Sequence, residues 1–211
     1  MTTTDALSCE ALEIWRGERR LCHGLSFRTE AGRALRLHGA NGAGKTTLIR
    51  VLAGLSEPES GAVRWNDQIL VEAGDGYRQS LAYLGHANGL KSNLTPVENL
   101  SAYVAMTGRP PAMSIADALA RLGVGGVAER PCGSLSMGQQ RRVALARLLL
   151  SRATLWLLDE PLTSLDAAGN ELLVELIQAH VERRGIAIFA THQPLELANG
   201  VLHTITLGGA A

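Results

Sequence analysis

Apolar residues fall along this chain in two kinds of run. Short, very apolar runs occur at Leu81-Ala82-Tyr83-Leu84, Ala153-Thr154-Leu155-Trp156-Leu157-Leu158 and Ile186-Ala187-Ile188-Phe189-Ala190-Thr191, each of strand length. Such runs predict strands buried on both faces, which is the pattern of a parallel sheet covered by helices. Between them lie longer stretches with helical spacing: 48–53, 96–107, 114–122, 136–151 and about 167–184. Thr95, Pro96 and Glu98 supply a cap, a first-turn proline and capping-box spacing for the second of these. Residues 9–15 and 19–28 alternate in part and are joined through Gly17 and Glu18, which predicts an antiparallel hairpin. Further strands are expected at 33–38, 61–66 and 201–207, with a short helix before the last. Strands alternating with helices give an α/β fold.

Composition narrows the classes. A chain of 211 residues suits one domain. Twenty basic residues balance 20 acidic ones, so bulk charge gives no reason to expect a nucleic-acid partner. No window approaches 18 uncharged apolar residues, and the N-terminus lacks the basic and apolar blocks of a signal peptide. Cys9, Cys22 and Cys132 share no metal-ligand spacing and read as small buried residues of a reducing compartment. The end, 208–211, reads as a flexible tail.

Three stretches carry chemistry. Gly39-Ala40-Asn41-Gly42-Ala43-Gly44-Lys45-Thr46-Thr47 has the form G-x-x-x-x-G-K-T, between an expected strand and an expected helix. Glycines let the backbone approach a phosphate, and the following helix turns its positive end toward the anion. Lys45 is placed to reach the β- and γ-phosphates, and the Thr46 hydroxyl to ligate Mg²⁺. The run 155–158 ends in Asp159 and Glu160, at the strand end where α/β sheets bind ligands. Asp159 is assigned to the metal and Glu160 to the attacking water. Leu135 then Ser136, Met137, Gly138 and Gln139 open a helix with S-x-x-Q capping-box spacing. Gly138 costs helix stability but admits a close neighbour, so the turn suits an anion. Arg141, Arg142 and Arg147 are expected on the solvated or ion-paired side of that helix.

Leu135-Ser136-Met137-Gly138-Gln139 resembles the signature motif of ABC ATPases. Asp159-Glu160-Pro161 with Ser164-Leu165-Asp166 resembles that family's Walker B and D-loop, and Thr191-His192 its switch histidine. The resemblance spans roughly 8–207. It implies a P-loop NTPase fold: a RecA-like parallel core, an antiparallel β part and a small helical part at about 86–150. It also implies an ATP-hydrolysing enzyme with ATP and Mg²⁺ as cofactors, and His192 beside the γ-phosphate. The implied assembly is a homodimer in which the signature of each copy binds the ATP of the other. The chain departs from the family at three places. Met137 replaces a glycine. His86 stands at the position of the Q-loop glutamine. The aromatic residue that stacks on adenine aligns with Arg16, with Trp15 adjacent, and either could stack.

Residues 83–91, 94–100 and 136–147 resemble more narrowly the ATP-binding subunits of bacterial haem exporters used in cytochrome c biogenesis. That implies an integral membrane permease subunit and other cytochrome c maturation proteins as partners, with 96–135 as the docking region. It places the chain peripherally on the cytoplasmic face of the inner membrane. Other readings are the ATPase of a different small-cargo exporter, a soluble non-transport ABC ATPase, or a small-molecule kinase. The neutral charge and the absence of a second cassette or a coiled-coil insertion disfavour the soluble alternative. For a kinase, residues 136–139 and His192 would be coincidences.

Overall fold

The computed structural model describes residues 4–208. The predicted tail falls largely on 209–211, which lie outside the described residues. Two sheets form. The antiparallel sheet takes β1 (Ala6–Arg16), β2 (Arg19–Glu30), β4 (Ser60–Trp65) and the two-residue β5 (Gln68–Ile69), in the order β2-β1-β4-β5. The parallel sheet takes β3 (Arg33–His38), β6 (Leu81–Leu84), β7 (Leu155–Asp159), β8 (Ile186–Ala190) and β9 (Leu202–Thr206), in the order β6-β7-β8-β3-β9. Among the described residues six α-helices connect them: α1 (Lys45–Leu52), α2 (Leu70–Ser80), α3 (Pro96–Thr107), α4 (Ile115–Arg121), α5 (Met137–Leu150) and α6 (Ala167–Glu182).

The very apolar runs are explained by two cores, one on each face of the parallel sheet. Leu155, Leu157, Ile186, Ile188 and Ala190 join Leu48, Ile49 and Val51 of α1 and the hairpin residues Leu7, Leu12 and Ile14. Trp156, Leu158, Ala187 and Phe189 turn the other way, onto Leu145 and Leu148 of α5 and Leu173, Leu176 and Ile177 of α6. The side-chain period is two, and both parities are apolar because both faces are covered. Two predicted caps form in full: Thr95 with Glu98, and Ser136 with Gln139. All three cysteines are buried and free. No helix of the described residues is long and apolar enough to cross a membrane.

β5 and α2 carry too weak a pattern to be expected. Gly74 breaks α2 with φ 50° and ψ −126°, interrupting helical periodicity. The helix docks mainly through Tyr77, its one buried side chain, with Leu70 and Ala73 packed partly buried beside it. The Tyr77 ring packs on Trp65 at 5.7 Å between centroids, and its hydroxyl donates to the Leu52 carbonyl at the end of α1.

Behind the sheet, the His180 ring stacks on Trp156 at 3.9 Å and 10°, and its Nε2 lies 3.2 Å from the Ile186 carbonyl oxygen. Burial pushes its pKa from 6.5 down to about 4. The unfolded chain therefore takes up this proton near pH 6.5, while the folded chain resists it. The stability from neutral His180 is complete above pH 6.5 and is lost as pH falls toward 4. Between those limits the wild type should lose about 1 kcal/mol per pH unit relative to His180→Phe, which keeps a stacked ring. Urea unfolding at several pH values checks this; a difference that did not vary with pH would refute a buried neutral imidazole.

Candidate functional site

The site is set by strand register. Leu37 and Asp159 both pair with Ala190, so β3, β7 and β8 end in one row. The row continues past the strands, where the Glu160 amide donates to the Ala190 carbonyl at 2.9 Å. The glycine-rich loop, the two acidic residues and His192 leave the sheet side by side from that row. Asp159 has the parity of Leu155 and Leu157, which face α1, and so it meets Thr46 in the first turn of α1. The Thr46 hydroxyl donates to Asp159 Oδ1 at 3.0 Å.

Lys45 is 6% exposed, and its Nζ donates to the carbonyls of Gly39 (2.8 Å) and Ala40 (3.2 Å). It lies 3.8 Å from Glu160 Oε1. The ammonium thus closes the loop on itself and spans to the carboxylate. Gly44 has φ +97°, and a Cβ there would lie 2.8 Å from the Leu21 Cβ, so the hairpin as well as the loop requires glycine. On the far side of Glu160, His192 Nδ1 lies 3.2 Å from Oε2. Glu160 itself has φ +46°, a strained value for a non-glycine residue.

A cleft of about 690 Å³ opens over this row, lined by Asn41, Gly42, Lys45, Thr46, Thr47, His86, Glu160, Thr163 and His192, with Arg16, Arg19 and Leu21 from the hairpin. Arg16 pairs with Arg19 across β1 and β2, and Trp15 with Arg20. Neighbouring residues on a strand face opposite ways. Arg16 therefore shares the cleft with Arg19, while Trp15 carries the Arg20 guanidinium 6.0 Å from its ring centroid and is not among the lining residues. Arg19 carried no motif in the sequence; its cross-strand pairing with Arg16 is what brings it here.

Asp159 is 1% exposed, and its Oδ2 is buried without a hydrogen-bond partner. Burial raises its pKa; the Thr46 hydrogen bond pulls it back, the Glu160 charge raises it further, and the His86 and Arg141 charges lower it. A buried carboxylate oxygen with no donor, next to a hydroxyl, fits one face of a hard cation such as Mg²⁺. Among the described residues no cluster of three His, Cys, Asp or Glu side chains could hold a metal alone. Remaining ligands would have to come from a bound phosphate and water. His86 follows the end of β6. It borders both this cleft and a neighbouring cavity of about 330 Å³ that Thr46, Tyr83 and Asp159 also line.

The arginines of α5 are not where helical patterning put them. Arg141 is 2% exposed and donates to the carbonyls of Gly85, Asp159, Glu160 and Pro161 and to Asn88 Oδ1. Arg147 donates to the Asn88 and Gly89 carbonyls. Only Arg142 makes the expected ion pair, with Asp166, and it also donates to the Leu122 carbonyl. The acceptors are main-chain oxygens distant in sequence, which periodicity cannot register. Gly138 is likewise explained within the chain: a Cβ there would lie 2.9 Å from the Ser164 carbonyl oxygen. Residues 136–139 do not line the cleft of their own chain. Ser136 Oγ accepts from the Gln139 amide at 3.2 Å, and Gln139 Oε1 from the Ser136 amide at 3.0 Å.

A glycine-rich loop with Lys45 at the exit of a central parallel strand, facing Asp159 and Glu160, defines the class of P-loop NTPases. The ABC transporter family model matches residues 22–163. The cytochrome c biogenesis ATP-binding export protein CcmA of Dechloromonas aromatica is 44% identical over 203 residues, covering 96% of this chain and all of that one. The CcmA of Escherichia coli is 47% identical over 201 residues, covering 95% and 96%. Among solved structures, a putative ABC transporter ATP-binding protein from Pyrococcus furiosus superposes with TM-score 0.79 at 22% identity, covering 94% of this chain and 96% of that one. A dimeric ATP-binding cassette in a post-hydrolysis state, bound to ADP and Pi, gives 0.76 at 21% identity over 89% and 88%. These two share the fold. The chain belongs to the ABC transporter family, as an ATP-binding subunit and ATPase, and its similarity to CcmA proteins runs through nearly its whole length.

Lys45→Ala removes the charge that bridges loop and carboxylate. A charge-assisted contact of about 1.5–3 kcal/mol predicts ATP binding weakened roughly 10- to 100-fold. Titration with a fluorescent ATP analogue measures it; unchanged affinity would show that the loop does not hold the nucleotide.

Proposed function

We propose that this chain is the ATPase of an export complex for cytochrome c biogenesis, driving a separate integral membrane permease whose cargo is haem. Support for export and for the pathway comes from the name of the CcmA relatives and their near full-length similarity, and haem as cargo rests on the sequence resemblance of 83–91 and 136–147. In this reading the chain sits peripherally on the cytoplasmic face of the inner membrane and works with other maturation proteins. Residues 86–150 act as the helical part of a single domain spanning 8–207, and the region 96–135 docks on the permease.

The observation that carries the mechanism is the separation of Lys45 from Ser136. The loop, Glu160 and His192 line one cleft and Asp159 the adjoining cavity, while the capped turn 136–139 lies outside both. A second copy facing the first brings its Ser136, Met137, Gly138 and Gln139 to the ATP held at 39–47. Each copy then offers half of two sites, and ATP completes the dimer. Closing and opening are the two states that the nucleotide biases.

Within the site, residues 39–47 bind the phosphates and Lys45 meets their charge. Arg16 and Trp15 are the candidates for the base, and the cleft geometry favours Arg16. Thr46 and Asp159 would hold Mg²⁺, which neutralises phosphate charge when bound. Glu160 accepts a hydrogen bond from the attacking water and orients it. His192, beside Glu160 Oε2, meets the γ-phosphate and keeps the carboxylate turned toward the cleft. His86 joins this group at the end of β6. Asp166 holds the D-loop through Arg142.

Glu160→Gln should bind ATP normally and hydrolyse it about 10²–10⁴-fold more slowly, accumulating closed dimers by size-exclusion chromatography with ATP. Normal turnover would remove Glu160 from the water. Ser136→Arg should leave ATP binding by the isolated chain within about threefold while abolishing hydrolysis, because the large cation enters only the partner's site; the lost cap costs about 1 kcal/mol of stability. Full activity of that variant would refute the composite site. Recovery of the wild type with a hydrophobic membrane protein supports transport, and recovery with ribosomes or DNA would overturn it.

A further inference from the structure

Arg141 presents a problem that its helix does not explain. It is almost completely buried in the second turn of α5, yet among the described residues no carboxylate accepts from it. A guanidinium has five N–H donors in a rigid plane. Here all five have acceptors: Nε donates to the Pro161 carbonyl (3.2 Å), Nη1 to the Gly85 carbonyl (3.0 Å) and Asn88 Oδ1 (3.2 Å), and Nη2 to the carbonyls of Asp159 (3.1 Å) and Glu160 (2.8 Å). No other side chain can satisfy that set; lysine has three donors and glutamine two.

The acceptors form two groups with different consequences. Three are the consecutive carbonyls of 159–161, and drawing them to one cation fixes the peptide planes around Glu160. That residue is held at φ +46°, a conformation that persists only where the surroundings over-determine it. From this backbone its carboxylate spans Lys45 and His192. The other two acceptors belong to the segment that leaves β6, and His86 lies between them. The same helix begins at the Ser136 cap. One planar cation therefore joins the carboxylate's turn, the loop after β6 and the helix that carries the capped turn.

We infer that Arg141 is a positioning residue for ATP hydrolysis, holding the Glu160 backbone and making its placement depend on the loop at 85–88. Displacement of that loop, by a partner on the helical side, is transmitted through Nη1 to Nη2 across a rigid plane. Thus α5 contributes to turnover in its own chain as well as through its N-terminus. The inference rests on the proposed role of Glu160 and specifies what holds that residue.

The test measures kcat, KM and nucleotide affinity in the full-length protein, by phosphate release and a fluorescent ATP analogue. Arg141→Lys keeps the charge but cannot fill five acceptors. It should lower kcat roughly 10- to 100-fold and leave KM and affinity within about twofold. Asn88→Ala removes one acceptor from a half-exposed position and should lower kcat a few-fold with the same KM. In a Glu160→Gln background neither substitution should slow the residual rate further, since the group they position is gone. A purely structural role would give losses that multiply with Glu160→Gln. If Arg141→Lys does not fold, Asn88→Ala alone decides. Unchanged kcat in the variants, or losses additive with Glu160→Gln, overturns the inference while the Glu160 assignment stands. A wild type that neither binds nor hydrolyses ATP overturns both.

Discussion

The row in which β3, β7 and β8 end is the constraint on which the site depends. Parallel ladders fix neighbours residue by residue, and here they place Leu37, Asp159 and Ala190 level. Parity does the rest. Odd positions of β7 face the core that contains α1, so the carboxylate after Leu157 is directed at the helix that begins with Lys45 and Thr46. A slip of one residue in β7 would send Asp159 to the α5 side and put Trp156 against α1. Burial of both faces makes that slip costly, because Trp156 and Leu157 fit different cores. The hydrophobic cores thus specify chemistry that contains no apolar group.

Charge inside the row is asymmetric. Lys45 and Arg141 are both buried, and both spend their donors mostly on main-chain carbonyls. Glu160 is left with acceptor capacity facing the cleft and Asp159 with acceptor capacity beside the adjoining cavity; Asp159 Oδ2 has no donor among the described residues. An unsatisfied buried oxygen costs about 1–3 kcal/mol, and the strained φ of Glu160 adds to that cost. The protein tolerates both at the position where a cation and a polyphosphate would relieve them. Protein cations that satisfied these carboxylates completely would leave nothing for a ligand to gain.

Most of this was legible in residue order because the relevant signals are local. The loop 39–47, the Asp159-Glu160 pair and the Ser136–Gln139 cap are each specified within a few residues, and the apolar runs gave β6, β7 and β8 to within two positions. The signals that failed are those spread across the chain or diluted within it. Two glycines erased the period of α2, which is held mainly by Tyr77. Arg141 and Arg147 looked like the polar face of α5 because basic residues are usually exposed there. Their acceptors are carbonyls 18 to 59 positions away, a pairing for which the side-chain pattern has no mark. Arg19 entered the cleft by cross-strand pairing, and its only signal was the hairpin register with Arg16.

The same distinction accounts for the unequal treatment of Met137 and Gly138. Both occupy positions where the resembled signature has glycine, and a ligand-approach argument would require glycine at both. In the structure Met137 is the first residue of α5 and 61% exposed, so a long side chain meets only solvent from its own chain. Gly138 faces inward, where the Ser164 carbonyl would lie 2.9 Å from a Cβ. Ser164 is itself held at φ +68° in the segment that leads to Asp166, and Arg142 ties Asp166 back to α5. The glycine that persists is the one that lets the helix terminus lock onto the segment after Glu160. Exchange at 137 alters an exposed surface; exchange at 138 would first separate the capped turn from the acidic strand end. Close backbone packing within one chain is therefore sufficient reason for Gly138, and the outward-facing hydroxyl of Ser136 is carried on a terminus that cannot move independently of Glu160.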